Sequence, residues 1–101
     1  MIMAELFNDK QAQVFFDAIS SLENSEECRD FFLDLCTIKE LESMVQRFQV
    51  ACLLSEGKVY NEIVAETGAS TATISRVNRA LSYGENGYRS VISKLEDNKN
   101  E

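Results

Sequence analysis

The sequence predicts an all-α fold of about six helices, and three observations carry that expectation. The 101 residues contain no proline and only four glycines, which suits helical runs with tight connections better than a turn-rich sheet. Apolar residues return every three or four positions rather than alternating, the period of an amphipathic helix. Capping residues and glycines punctuate these stripes at helix-length intervals. With 45% hydrophobic residues, the chain has the composition of a globular domain and not of a disordered segment.

The first stripe, Ala12, Phe15, Phe16, Ile19 and Leu22, predicts a helix opening at Asn8, with Gln11 as its capping-box partner. In "NSEE", Ser25 is the expected cap of a second helix, followed by two acids that suit its positive end. Cys28, Phe31, Phe32 and Leu35 form its stripe. "TIKE" at 37–40 is a capping box for a third helix, whose stripe runs Ile38, Leu41, Val45, Phe48, Cys52. Gly57 suits its C-terminus, where glycine enters the left-handed region at little cost. Val14, Ala18, Leu33 and Cys36 lie off these stripes, so the first three helices are apolar on more than one side. A second copy of the chain would bury that surplus, and a homodimer is expected.

A short helix follows over Val59–Thr67, with Val59, Ile63 and Val64 as its apolar face and Gly68 as its stop. Ser70 caps the next helix, which reaches Tyr83 before Gly84. "GENG" is a turn. A last helix spans Tyr88–Leu95 with Tyr88, Val91, Ile92 and Leu95 facing inward, and "EDNKNE" is expected to fray. The chain reads as one domain over 1–101: a dimerisation body at 1–57, a helix–turn–helix at 58–84, and a C-terminal helix with its tail at 85–101.

The net charge of −7 argues at first against nucleic acid, but the charge is unevenly spread. Residues 1–56 carry −7, residues 57–94 carry +2, and the tail from Leu95 carries −2. The basic segment holds "EIVAETGASTATISRVNRAL". Serine and threonine are mediocre helix formers, so stability alone does not account for their density there. At 100° per residue, Ile74, Val77 and Leu81 fall on one side of the helix, and Ala72, Arg76, Arg79 and Tyr83 on the other. Small polar residues at a helix start allow close approach to base edges, and hydroxyls and arginines donate to phosphates or guanine.

These residues carry a family resemblance. "GASTATISRVNRAL" resembles the turn and recognition helix of bacterial helix-turn-helix repressors. "MVQRFQVACLLSEGKVYNEIVAETGASTATISRVNRAL" is similar to the Trp-repressor superfamily, and "FFLDLCTIKELESMVQRFQVACLL" to its YerC/YecD branch. The resemblance covers almost the whole chain. It implies an intertwined all-α homodimer with two reading heads, and double-stranded DNA with a roughly palindromic operator as partner. It also implies DNA contacts at Asn61, Ser70, Thr71, Ala72, Thr73, Ser75, Arg76 and Arg79. Asn61 replaces a base-contacting arginine of the family, so the operator should differ.

The family's tryptophan lies between two arginines, beside a glycine and a serine. Arg47 and Arg76 match the arginines, whereas Val77 and Ala80 stand at the glycine and serine positions. A small-molecule effector pocket is thus expected around Arg47, Arg76, Val77 and Ala80, but not for tryptophan: valine fills space that a flat ring needs, and alanine offers no hydrogen bond.

Enzymatic function is not expected, since the chain lacks histidine, a phosphate-binding glycine loop and a nucleophile motif. No cofactor is implied. Without histidine or CxxC spacing, Cys28, Cys36 and Cys52 read as small buried hydrophobes in a reducing compartment, not as metal ligands. No apolar run approaches the roughly 20 residues of a membrane span, and no signal peptide is visible, so a cytoplasmic protein is expected. The alternative is a dimeric helical protein–protein interaction module without autonomous DNA binding, a reading kept open by the acidic body.

Overall fold

The computed structural model describes residues 9–99. They form six helices and no strand: α1 (Lys10–Ser20), α2 (Ser25–Leu35), α3 (Ile38–Ser55), α4 (Tyr60–Thr67), α5 (Thr71–Tyr83) and α6 (Gly87–Lys99). The chain groups into two compact units, Met1–Ile38 and Lys39–Glu101.

In the first unit, the cap of each helix is the residue next to the expected one. Asp9 caps α1, its carboxylate accepting from the Gln11 amide at 2.8 Å; the expected cap, Asn8, lies outside the described residues. Asn24, not Ser25, caps α2: its backbone is extended and its side chain accepts from the Glu27 amide at 2.9 Å. The Glu27 carboxylate reaches back to the Glu23 amide at 3.1 Å. The cap thus falls one residue earlier than expected: Asn and Ser cap about equally well, and the Glu27 bond to the residue before the cap adds a second tie at the helix start. Phe15 stands 6.4 Å from Phe31 between ring centroids, and Phe31 meets Phe32 edge-on at 5.6 Å. Even so, α1 and α2 bury no residue fully.

The second unit holds every fully buried apolar residue described: Val50, Ala51, Ile63, Ala69, Ile74, Val77, Leu81 and Ile92. Each large one is worth about 1.5–3 kcal/mol relative to exposure. Phe48, Cys52, Leu53, Leu54, Tyr60 and Tyr88 pack around them. Helix α3 begins at Ile38, directly after Thr37. Its C-terminal half carries Val50 and Ala51 into the core, while Ile38 and Val45 stay exposed. Gly57 and Gly68 adopt φ of +84° and +72°, as their places after helices require.

Other expectations need correction. Of the face expected on α4, only Ile63 is buried; Val59 and Val64 are exposed, because eight residues offer too few turns to bury a wide stripe. On α6, Ile92 is buried and Tyr88 half-buried, but Val91 and Leu95 are exposed. That helix also continues through the expected frayed segment to Lys99. Glutamate and lysine extend a helix readily, and a cation in the last turn suits its negative end. All three cysteines are free and only half-buried. Burial, and secondarily the Glu56 carboxylate, raise the Cys52 thiol above its ordinary range.

Candidate nucleic-acid interface

The junction between α4 and α5 is held from three sides. The Gly68 amide donates to the Val64 carbonyl at 2.9 Å, and the left-handed φ of Gly68 turns the chain sharply. Thr67 donates its hydroxyl to the Ile63 carbonyl at 2.7 Å and accepts from the Ala69 amide at 3.0 Å. Across the unit, the Gln46 side chain of α3 donates to the Thr67 carbonyl at 3.1 Å. Ala69, 2% exposed, plugs the turn into the core. A short helix, a tight turn and a longer amphipathic helix therefore stand in a defined relation.

Ser70 then starts α5. Its hydroxyl accepts from the Thr73 amide at 3.1 Å and donates to the Thr73 hydroxyl at 3.0 Å. No acid lies in the first turn of α5, so the positive end of its dipole is left uncompensated and suited to an anion. This differs from α2, which carries Glu26 and Glu27 there. Ile74, Val77 and Leu81 anchor the helix in the core.

Opposite these anchors, Thr71, Ala72, Ser75, Arg76 and Arg79 are all exposed, within an arc of about 140° at 100° per residue. Neither Arg76 nor Arg79 forms an ion pair with a described residue; the pair found nearby in sequence joins Lys58, just before α4, to Glu62 on it at 3.7 Å. Both guanidinium groups are thus available for an external anion. Asn61 is exposed on α4 and Ser70 at the cap. Thr73 differs from its neighbours: it is half-buried and its hydroxyl is engaged by Ser70, which suits it to holding the helix start.

The residues expected around an effector differ in burial and surroundings. Val77 is 2% exposed and sits in the core, while Arg76 is on the outer face and Arg47 is half-buried on α3, with no ion pair to a described residue. An open apolar cleft of about 490 Å³ is lined by Phe48, Ala80, Glu85, Gly87, Tyr88 and Val91. Of the four expected residues, Ala80 alone lines it.

Two further residues bear on this face. Tyr83 is 87% exposed at the end of α5, on the side with Arg76 and Arg79 where its helical phase places it. Arg89 contributes to the +2 charge of residues 57–94, and its Nε donates to the Leu81 carbonyl at 2.9 Å. No local pattern signals a bond across a turn.

Among the described residues, no cluster of three or more His, Cys, Asp or Glu side chains could hold a metal ion. No described helix is long and apolar enough to cross a membrane.

An all-α unit whose short helix, glycine turn and anchored polar helix expose a cationic face is a helix-turn-helix protein. The chain belongs to the Trp repressor protein family, whose model matches residues 10–96. It is 48% identical over 92 residues to YerC of Bacillus subtilis (strain 168), a protein of uncharacterised function, across 91% of this chain and 88% of that one. The crystal structure of a candidate Trp repressor from Staphylococcus aureus is similar throughout: 44% identity, TM-score 0.87, 95% of this chain and 96% of that one covered. A TrpR-like protein from Eubacterium eligens ATCC 27750 is 49% identical with a TM-score of 0.84, covering 88% and 92%.

Proposed function

We propose that the protein is a sequence-specific DNA-binding transcriptional regulator, a repressor acting as a homodimer in the cytoplasm. One observation carries this reading: α5 is pinned by Ile74, Val77 and Leu81 and exposes an uncompensated N-terminus beside Thr71, Ala72, Ser75, Arg76 and Arg79. That surface complements a phosphate backbone and base edges. The small residues of the first turn read bases, the arginines hold phosphate or guanine, Ser70 and Thr73 hold the helix start, and Asn61 approaches from α4.

The dimer is supported by apolar surface that the first unit and the start of α3 leave open. Val14, Ile38 and Val45 are each 60% exposed or more, and neither α1 nor α2 buries a residue fully. A second copy would cover this surface and give a two-fold operator with half-sites about 34–36 Å apart. Residues 1–57 then serve as dimerisation body, 58–84 as reading head and 85–101 as the C-terminal helix. An effector, where one acts, is a small molecule other than tryptophan, because Val77 stands at the family's glycine position and Ala80 at its serine position.

The test is selection from a random duplex library by wild type and Arg79→Glu at low salt, with sedimentation of both and of Val45→Glu. Enrichment of a palindromic site by wild type alone, together with dissociation of Val45→Glu into monomers, is the expected result. A folded wild-type dimer that enriches no duplex would overturn DNA reading and favour a protein partner. A wild type that sediments as a monomer would overturn the dimer.

A further inference from the structure

Arg89 lies on α6, outside the face just described, and although the residue is exposed its head group is tethered at one nitrogen. Its Nε donates to the Leu81 carbonyl at 2.9 Å in a partly buried bond. Leu81 belongs to the last turn of α5, where carbonyls lack helical partners and the dipole is negative, so a guanidinium is favoured twice over. Two other contacts converge here. The Gly84 amide donates to the Ala80 carbonyl at 2.9 Å, and a Cβ on Gly84 would collide with that same carbonyl oxygen. Tyr88, next to Arg89, stacks on Phe48 of α3 with centroids 6.4 Å apart. Adjacent residues of α6 thus fasten to α5 and to α3.

From this geometry we infer that Arg89 is a positioning residue for the reading surface and not a phosphate contact. The inference rests on α5 being the recognition helix. Thr71 lies ten residues from Leu81, about 15 Å along the axis. A tilt of about 10° at the Leu81 end would therefore move the reading end by about 2–3 Å, the length of a hydrogen bond. Gln46 holds the other end of α5 through Thr67, so the helix direction is fixed at both ends by neighbours that need not touch DNA.

The experiment uses the full chain as wild type, Arg89→Gln, Arg89→Lys and Arg79→Gln. Binding to the selected operator and to a scrambled duplex is followed by fluorescence anisotropy across a salt series, and amide exchange is measured on the free proteins. Arg89→Gln should weaken operator binding about tenfold, leave the salt dependence unchanged, and speed exchange at Ser82, Tyr83 and Gly84. Arg89→Lys, which keeps a donor and the charge, should recover most of the affinity. Arg79→Gln should instead lower the salt slope by about one per protomer. An Arg89→Gln protein whose salt slope falls as in Arg79→Gln would overturn the inference, as would one that binds the operator like wild type. A wild type that prefers no duplex would overturn the reading of α5 itself, an outcome visible before any Arg89 variant is made.

Discussion

Replacing Val77 separates two accounts of the inner face of α5, a packed core and the wall of an effector pocket. Val77 is 2% exposed and lies among Ile74, Leu81, Val50 and Ile63. Val77→Ala removes two carbons, about 1.6 kcal/mol at 0.8 kcal/mol each. A residual void of about 40 Å³ adds about 1 kcal/mol at 24 cal/mol per Å³. Alanine's better helix propensity returns about half a kcal/mol, leaving a net loss of about 2 kcal/mol. Val77→Gly should cost about 2 kcal/mol more, from one further carbon and glycine's penalty in a helix interior. Thermal unfolding by circular dichroism, at one fixed protomer concentration, should show Val77→Ala melting about 8–16 °C below wild type. Ala80→Ser, at the half-buried cleft wall, should change the midpoint by only a few degrees. A Val77→Ala protein within about 2 °C of wild type would refute the reasoning, since the side chain would then face open space and a ligand could take its place.

Three further outcomes are expected. Asn24→Ala should lower stability by about 1 kcal/mol while Ser25→Ala is nearly neutral, as read from urea midpoints; the reverse order would restore Ser25 as the cap. Gly68→Ala meets no atom within 4 Å but is strained at φ +72°, costing about 1–2 kcal/mol. Gly84→Ala instead collides with the Ala80 carbonyl and should cost about 2 kcal/mol or more; paired thermal melts compare the two. Cys52, with its pKa raised in the folded state by burial and Glu56, loses its proton more readily when unfolded. Its contribution to stability is therefore present below the unfolded thiol pKa and lost as pH rises through the folded one. Cys52→Ser should flatten the alkaline fall in urea midpoint, and an unchanged fall would count against this.

Legibility from sequence varied along the chain in a physically ordered way. The anchors Ile74, Val77 and Leu81 were predictable because a three- and four-residue period fixes which side chains share a helix face, whatever the neighbours. The expectation for α6 held for Ile92 and failed for Val91 and Leu95, whose side chains share a stripe with it but meet no packed neighbour deep enough to cover them. The DNA face was legible as a composition, since serine, threonine and arginine crowd where helix formers would serve stability better. Thr73 was not distinguishable there from Ser75, because only the cap geometry shows that its hydroxyl is engaged.

Sequence alone thus determined the six helices, their glycine stops at Gly57 and Gly68, and the two-sided character of α5. These are local properties, set by backbone sterics and by periodicity within one or two turns. Only the tertiary structure decided that Val91 and Leu95 stay exposed, that Ala80 faces a cleft, and that the Arg89 Nε is bonded to the Leu81 carbonyl. Those outcomes depend on which helix arrives opposite, across tens of residues, and no short-range pattern encodes that distance.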